Sequence, residues 1–198
     1  MVDTNLIFAL ISFYFVMYVT PGPNNAMVLA SGLKFGFVKT MPTMAGITVG
    51  HIVQLILVCL GLGKIFQIYP EIQSFLKLLC AAYLLYLGYK IIGSFSRIKE
   101  DGSKPILFYE AALFQIVNPK AWSISSMAAS SFLTAEKNLL LSISFIAVIA
   151  LVICPISISP WAAFGAGIKK FVKNNQVRRS IEYLLAVLLL STAIIILL

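Results

Sequence analysis

Proline and asparagine occur together at two places inside hydrophobic stretches of this chain, as Pro21-Gly22-Pro23-Asn24-Asn25 and as Asn118-Pro119-Lys120. Proline lacks the amide hydrogen that a helix interior needs, and asparagine is a preferred residue just before a helix. Each motif therefore predicts a helix that stops and restarts. The second restart is expected at Pro119, with Asn118 as its N-cap. The first motif is expected to cap a half-helix that runs through Ala30.

Each predicted restart offers a place for an anion. The first N–H groups of a helix have no partner within it, and the helix dipole is positive at that end, so a carboxylate is a suitable ligand. A cation such as Lys120 is unfavourable there unless an anion, a group of carbonyls or water compensates it, although its stem could instead extend toward water. We predict a substrate site formed by Pro21, Gly22, Pro23, Asn24, Asn25, Asn118, Pro119 and Lys120.

The elements that must position these residues are membrane helices. Of the 198 residues, 60% are hydrophobic and 11% charged, and the mean hydropathy is +0.97, which is too apolar for a soluble globular chain. Segments of roughly 20 apolar residues cross a bilayer as helices. Six such windows are predicted, with the first and fourth broken: 5–32, 41–63, 72–95, 107–133, 139–163 and 181–198.

The net charge of +8 is distributed by loop, which argues against nucleic acid as a partner and for a membrane surface. Ten basic residues fall in loops one, three and five: Lys34, Lys39, Arg97, Lys99, Lys104, Lys169, Lys170, Lys173, Arg178 and Arg179. Loops two and four carry only Lys64 and Lys137. By the positive-inside rule, the odd loops are cytoplasmic and both termini lie outside.

The six windows divide into two halves that each begin with a broken helix. A half with three spans forces the second half to enter the membrane in the opposite direction, as in the inverted repeats of secondary transporters. We therefore predict one transmembrane domain, 1–198, with pseudo-repeats 1–95 and 107–198 and a cytoplasmic linker 96–106. The alternative is that the prolines are ordinary kinks. Gly46 and Gly50 favour internal helix packing, and a homodimer remains open.

Other polar residues in or near the spans are candidates for coupling transport to protons. His51 lies on one helix face with Gln54, and Glu110 and Glu182 begin spans four and six. The competing interpretation of His51 is a buried packing residue. For Glu110 and Glu182 it is interfacial ion pairs with Lys104, Arg178 or Arg179. The three cysteines, Cys59, Cys80 and Cys154, have no C-x-x-C spacing and are expected to be small buried residues.

Several motifs carry a resemblance to a known family. They are Pro21-Gly22-Pro23-Asn24-Asn25, Gly46-Ile47-Thr48-Val49-Gly50, Ala81-Ala82-Tyr83-Leu84-Leu85-Tyr86-Leu87-Gly88-Tyr89-Lys90 and Phe114-Gln115-Ile116-Val117-Asn118-Pro119-Lys120. Over essentially its whole length the chain resembles the LysE/RhtB family of bacterial amino-acid exporters, and its second half resembles the cysteine and O-acetylserine branch. The resemblance implies six helices in the inner membrane. It also implies proton-driven efflux of small amino acids or derivatives such as cysteine, O-acetylserine, homoserine or threonine.

An enzyme and a non-catalytic membrane subunit are the alternatives to a transporter. The sequence has one histidine and lacks H-E-x-x-H, G-x-S-x-G and glycine-rich phosphate motifs, so no catalytic residue, metal or cofactor is predicted. A purely structural subunit would have no need of broken helices or an intramembrane lysine. A transporter is the prediction that accounts for both.

Overall fold

The computed structural model describes residues 4–62, 68–92, 105–133, 138–171 and 174–197, and these residues fold as helices without strands. Eight helices of ten or more residues follow one another along this part of the chain. They are α1 (Thr4–Val19), α2 (Pro23–Phe35), α3 (Phe37–Cys59), α4 (Pro70–Ile91), α5 (Phe108–Val117), α6 (Pro119–Phe132), α7 (Leu139–Phe171) and α8 (Asn175–Leu197).

The first predicted break separates α1 from α2, which meet at an angle of 58°. Pro23 is the first residue of α2, because its missing amide hydrogen is not needed there. The predicted cap was wrong, because Gly22 precedes the helix without a capping hydrogen bond from a described side chain. The half-helix runs through Ala30 as predicted and continues to Phe35. It ends at Gly36, whose φ of 90° suits glycine.

The second predicted break lies between α5 and α6. Helix α5 ends at Val117, and α6 begins at Pro119 with Asn118 as its N-cap, which confirms the predicted restart. Asn118 has an extended backbone, with φ of −83° and ψ of 103°. This conformation interrupts the helix at a residue that precedes proline, where the helical backbone is disfavoured.

Helix length and hydropathy support fewer membrane spans than the six predicted. Among the described residues, three helical segments are long and apolar enough to cross a bilayer: Phe37–Cys59, Leu139–Ile168 and Arg179–Leu197. The bent pair α1 and α2 makes a fourth if it counts as one span. The apolar parts of α4 and α5, Ser74–Tyr89 and Phe108–Val117, are shorter. Every predicted window nonetheless contains helix, and a break divides a span into pieces too short to qualify alone.

Small residues allow the helices to approach closely. Helix α2 packs against α7, α3 against α5, and α4 against α8, while α3 also contacts α6 and α7, and α1 contacts α7. A Cβ at Gly46 or Gly50 would collide with the backbone of Phe108 or Ala112 on α5. This confirms internal packing for these two glycines.

The cysteines are buried and free, as predicted.

Candidate functional site

The C-terminal end of α1 is held by side chains from other parts of the chain. Asn25 Nδ2 donates to Tyr18 O at 2.9 Å and to Thr20 O at 2.6 Å. Trp161 Nε1, from α7, donates to Val19 O at 3.1 Å. These bonds satisfy carbonyl groups that a helix end leaves without partners. The first break is thus a fixed structure whose carbonyls are occupied.

Lys120 connects the second break to the first. Its Nζ donates to Thr20 O at 2.6 Å, to Thr20 Oγ1 at 2.8 Å and to Pro21 O at 3.2 Å. The sequence predicted that the Lys120 charge needs an anion, a group of carbonyls or water beside it, and the carbonyls are what the structure shows. The negative end of the α1 dipole also stabilises the charge. A Cβ built on Gly22 would lie 2.8 Å from Lys120 Cδ and 3.2 Å from Nζ. The ammonium therefore lies beside the start of α2.

The two restarts differ in how much of their N-terminus is free. At α6, Asn118 Oδ1 accepts hydrogen bonds from the N–H groups of Lys120 at 3.1 Å and Ala121 at 3.4 Å. At α2, no side chain of the described residues caps the first turn. The positive end of α2, next to the Lys120 ammonium, is therefore the better place for an anion.

Side-chain amides join the two breaks. Asn118 Nδ2 donates to Asn24 Oδ1 at 3.0 Å. Asn24 and Gln115 exchange two hydrogen bonds of 3.0 Å, and Gln54 Nε2 donates to Gln115 O at 2.9 Å. The amides of Asn24 and Asn118 are thus engaged with each other and with neighbouring residues. They position the breaks, and their polar atoms are already used.

A pocket lies between these elements. Its lining comes from both breaks and from α1, α3, α6 and α7: Met17, Tyr18, Gly22, Asn24, Asn25, His51, Asn118, Lys120, Ala121, Ile124 and Ile158. Its free volume is about 20 Å³. That is room for about one water molecule. The described conformation is therefore contracted around the pocket.

Six of the predicted site residues line this pocket: Gly22, Asn24, Asn25, His51, Asn118 and Lys120. Pro21 contributes its carbonyl to Lys120, and Pro23 and Pro119 begin α2 and α6. Neither of the predicted acidic residues is among the lining residues. Glu110 accepts the Leu107 N–H at 2.8 Å, at the exposed start of α5.

Glu182 lies in the first turn of the apolar part of α8, Arg179–Leu197, so it begins the sixth predicted span as expected. Its side chain is buried, with 3% of its surface exposed. Helix α8 begins at Asn175, so Glu182 lies about two turns inside the helix rather than at its first residue. The hydrophobic window, which opened at 181, missed the polar first turns of α8. Lys104 lies outside the described residues.

Sequence reasoning missed several residues that build the site. Thr20 supplies two of the Lys120 contacts, Tyr18 lines the pocket, and Gln115 anchors Asn24. Trp122 Nε1 donates to Ile116 O at 2.8 Å and so caps α5. The only sequence signal that these residues belong to the site is that each lies within a few positions of a break. The residues that they contact are distant in sequence, and no spacing rule identifies those contacts.

Comparison with known proteins assigns the chain to a family. The model of the LysE type translocator family matches residues 15–198. The chain belongs to this family. A cysteine/O-acetylserine efflux protein of Escherichia coli O157:H7 is 30% identical over 192 residues, which are 96% of both chains. Proteins of the same description from E. coli K12 and Shigella flexneri serotype 5b are 29% identical over the same share. No solved structure matches the chain.

Family membership and apolar helices together make this LysE-type protein a multi-pass membrane transporter with a small-molecule substrate, rather than an enzyme. The pocket between the two helix breaks is accordingly the candidate transport site.

Proposed function

We propose that this protein exports small amino acids or their derivatives, such as cysteine, O-acetylserine, homoserine or threonine, across the bacterial inner membrane. The observation that carries the proposal is the pocket where the uncapped start of α2 meets the Lys120 ammonium. The similar efflux proteins act, by their descriptions, on cysteine and O-acetylserine. A carboxylate is common to all these candidates.

The substrate carboxylate binds, in this proposal, between the first turn of α2 and Lys120. Two positive groups lie there side by side, balanced in the described conformation by the carbonyls of Thr20 and Pro21. A carboxylate competes with those carbonyls for the ammonium, because it carries a full negative charge, whereas a carbonyl oxygen carries only a partial one. Since the pocket has room for about one water molecule, substrate entry requires its walls to separate.

We further propose six spans arranged as a 3+3 inverted repeat. The helix contacts support this, because exchanging the two halves maps α1 and α2 onto α5 and α6, and α3 and α4 onto α7 and α8. The contact of α2 with α7 then has its counterpart in α6 with α3, and that of α3 with α5 in α7 with α1. The contacts of α3 with α7 and of α4 with α8 map onto themselves.

The proton-motive force is the proposed driving force, with His51, Glu110 and Glu182 as the proton-binding candidates. His51 has the strongest support of the three, because it lines the pocket.

Both termini are proposed to lie outside the cytoplasm, on the basis of the charge distribution between loops.

Counterflow in proteoliposomes tests the proposed function. Vesicles loaded with one unlabelled amino acid should accumulate the same labelled amino acid, and a panel should include the four candidates with lysine and phenylalanine as mismatched substrates. We expect counterflow with one or more small neutral members and faster efflux under an imposed proton gradient. Absence of counterflow with every amino acid would reject the proposal, and net efflux unaffected by the gradient would reject proton coupling alone.

A further inference from the structure

Two side chains of the pocket wall, His51 and Tyr18, carry buried polar atoms without hydrogen-bond partners among the described residues. His51 has 1% and Tyr18 6% of its surface exposed, and both line the pocket. Among the described residues, neither ring nitrogen of His51 has a hydrogen-bond partner, and the hydroxyl of Tyr18 has none either. Gln54 lies near the imidazole, yet no contact between the two meets the distance and angle of a hydrogen bond. The two rings meet edge to face, with centroids 5.3 Å apart.

Such atoms are uncommon in folded proteins. More than about 90% of buried polar groups have a partner, and an unsatisfied one is destabilising. Two side chains that share this condition on the wall of one pocket indicate a partner that enters from the pocket. A neutral imidazole and a phenol each donate and accept one or more hydrogen bonds, so together they suit a small hydroxyl, thiol or carbonyl group.

The position of these side chains relative to the Lys120 end suggests which part of the substrate they meet. Lys120 and Asn24 are partly exposed, whereas His51 and Tyr18 are buried. Met17, Ile124 and Ile158 complete the lining with apolar surface. A carboxylate held at Lys120 would therefore point the amino-acid side chain toward the buried wall.

We propose that His51 and Tyr18 bind the polar group of the substrate side chain, so that the transporter selects small amino acids with a hydroxyl, thiol or carbonyl in that side chain. This inference rests on the proposed function, since it takes the carboxylate to lie at α2. Binding by His51 and Tyr18 would add selectivity among side chains, which the carboxylate site cannot provide because every amino acid has a carboxylate. A site built to hydrogen-bond a group discriminates against analogues that lack it, because its own polar atoms are then left unpaired.

The test compares substrates that differ only in the polar group. Threonine is paired with valine, and cysteine with 2-aminobutyrate, in competition counterflow by purified protein in liposomes. For the pair that contains a transported amino acid, we expect the parent protein to prefer the polar member by roughly tenfold, the loss expected for one hydrogen bond. The Tyr18→Phe variant should lose most of this preference while still transporting both members. The His51→Leu variant should lose it as well, measured as the ratio of the two competitors whatever its overall rate.

Tyr14→Phe is the matched control. The Tyr14 hydroxyl is also buried without a partner, and its ring stacks on Tyr18 at 5.3 Å, but Tyr14 does not line the pocket. Tyr18→Phe and Tyr14→Phe each remove one unpartnered oxygen, so both should fold as the parent does. Only Tyr18→Phe should change selectivity.

Three outcomes would overturn the inference. An unchanged preference in Tyr18→Phe and His51→Leu would mean that trapped water alone satisfies these atoms. An equal change in Tyr14→Phe would indicate an effect of packing. A parent protein that transports both members of each pair equally would have no such selectivity. None of these results removes the proposed export function, which fails separately if no amino acid shows counterflow.

Discussion

Asn118 and Asn24 join the two helix breaks directly, by a hydrogen bond of 3.0 Å from Asn118 Nδ2 to Asn24 Oδ1. The two residues are 94 positions apart in the chain. Asn118 Oδ1 meanwhile caps α6. One buried side chain thus begins a half-helix and fixes its position against the other break. The same pair explains why asparagine occurs beside proline in both motifs.

Replacing Asn118 should therefore affect both folding and transport. Asn118→Ala removes a cap that contributes about 0.5–2 kcal/mol and a link that contributes about 0.5–1.5 kcal/mol. We expect a loss of stability of roughly 2 kcal/mol, measured by thermal unfolding in detergent, together with weakened counterflow. Asn118→Ser, which keeps a capping oxygen but loses the donor to Asn24, should lie between the parent and Asn118→Ala in stability.

Asn138→Ala provides the comparison for this prediction. Asn138 Oδ1 accepts the Leu140 N–H at 3.1 Å, so it caps α7 at an exposed position without joining two breaks. This variant should lose about 1 kcal/mol and transport normally. Equal transport by Asn118→Ala and Asn138→Ala would show that the link between the breaks is dispensable.

Close contact between α3 and α5 should make Gly50 intolerant of a side chain. A Cβ there would lie 2.5 Å from Ala112 O, a backbone atom that cannot turn aside. We expect Gly50→Val to cost more than the 1–3 kcal/mol or so that is typical of overpacking, and to yield little monodisperse protein in size-exclusion chromatography. Gly88→Ala in α4, where the nearest atom is 3.7 Å away, should fold as well as the parent. Normal folding of Gly50→Val would contradict the described packing.

The loop charges predict the orientation of the protein in the membrane. Reporter fusions after Leu198 should be active only with a reporter that works outside the cytoplasm. Fusions within 96–106 should require a reporter that works inside. Reversed activities would overturn the orientation, and activity on the same side at both positions would overturn the three spans predicted between them.

The sequence predicted the parts of this site that are governed by neighbouring residues. Pro119 can start a helix but not continue one, and Asn118 can cap the helix that Pro119 starts, so the second break follows from two adjacent residues. The first predicted window, which ended at 32, fell short of the end of α2 because the decisive residue, Gly36, lies beyond it. Its left-handed backbone, rather than hydropathy, ends the helix.

The contacts that assemble the site could not be predicted, because they join distant residues. Lys120 reaches Thr20 across 100 positions, and Gln115 reaches Asn24 across 91. The sequence showed that Lys120 needs compensation but left open whether an anion, carbonyls or water provides it. Only the packing of α1 against α6 and α7 selects the carbonyls.

The central claim is that Lys120 and the start of α2 bind the substrate carboxylate. It is tested most directly by titrating purified protein with a transported amino acid and with its carboxamide, which has the same shape without the negative charge. The parent should bind the carboxamide tenfold or more weakly, the loss expected for a charged hydrogen bond, and Lys120→Gln should insert normally yet lose this difference. Lys39→Gln, at an exposed lysine of α3, should behave as the parent. Equal affinity of the parent for acid and amide, or an undiminished difference in Lys120→Gln, would contradict the account.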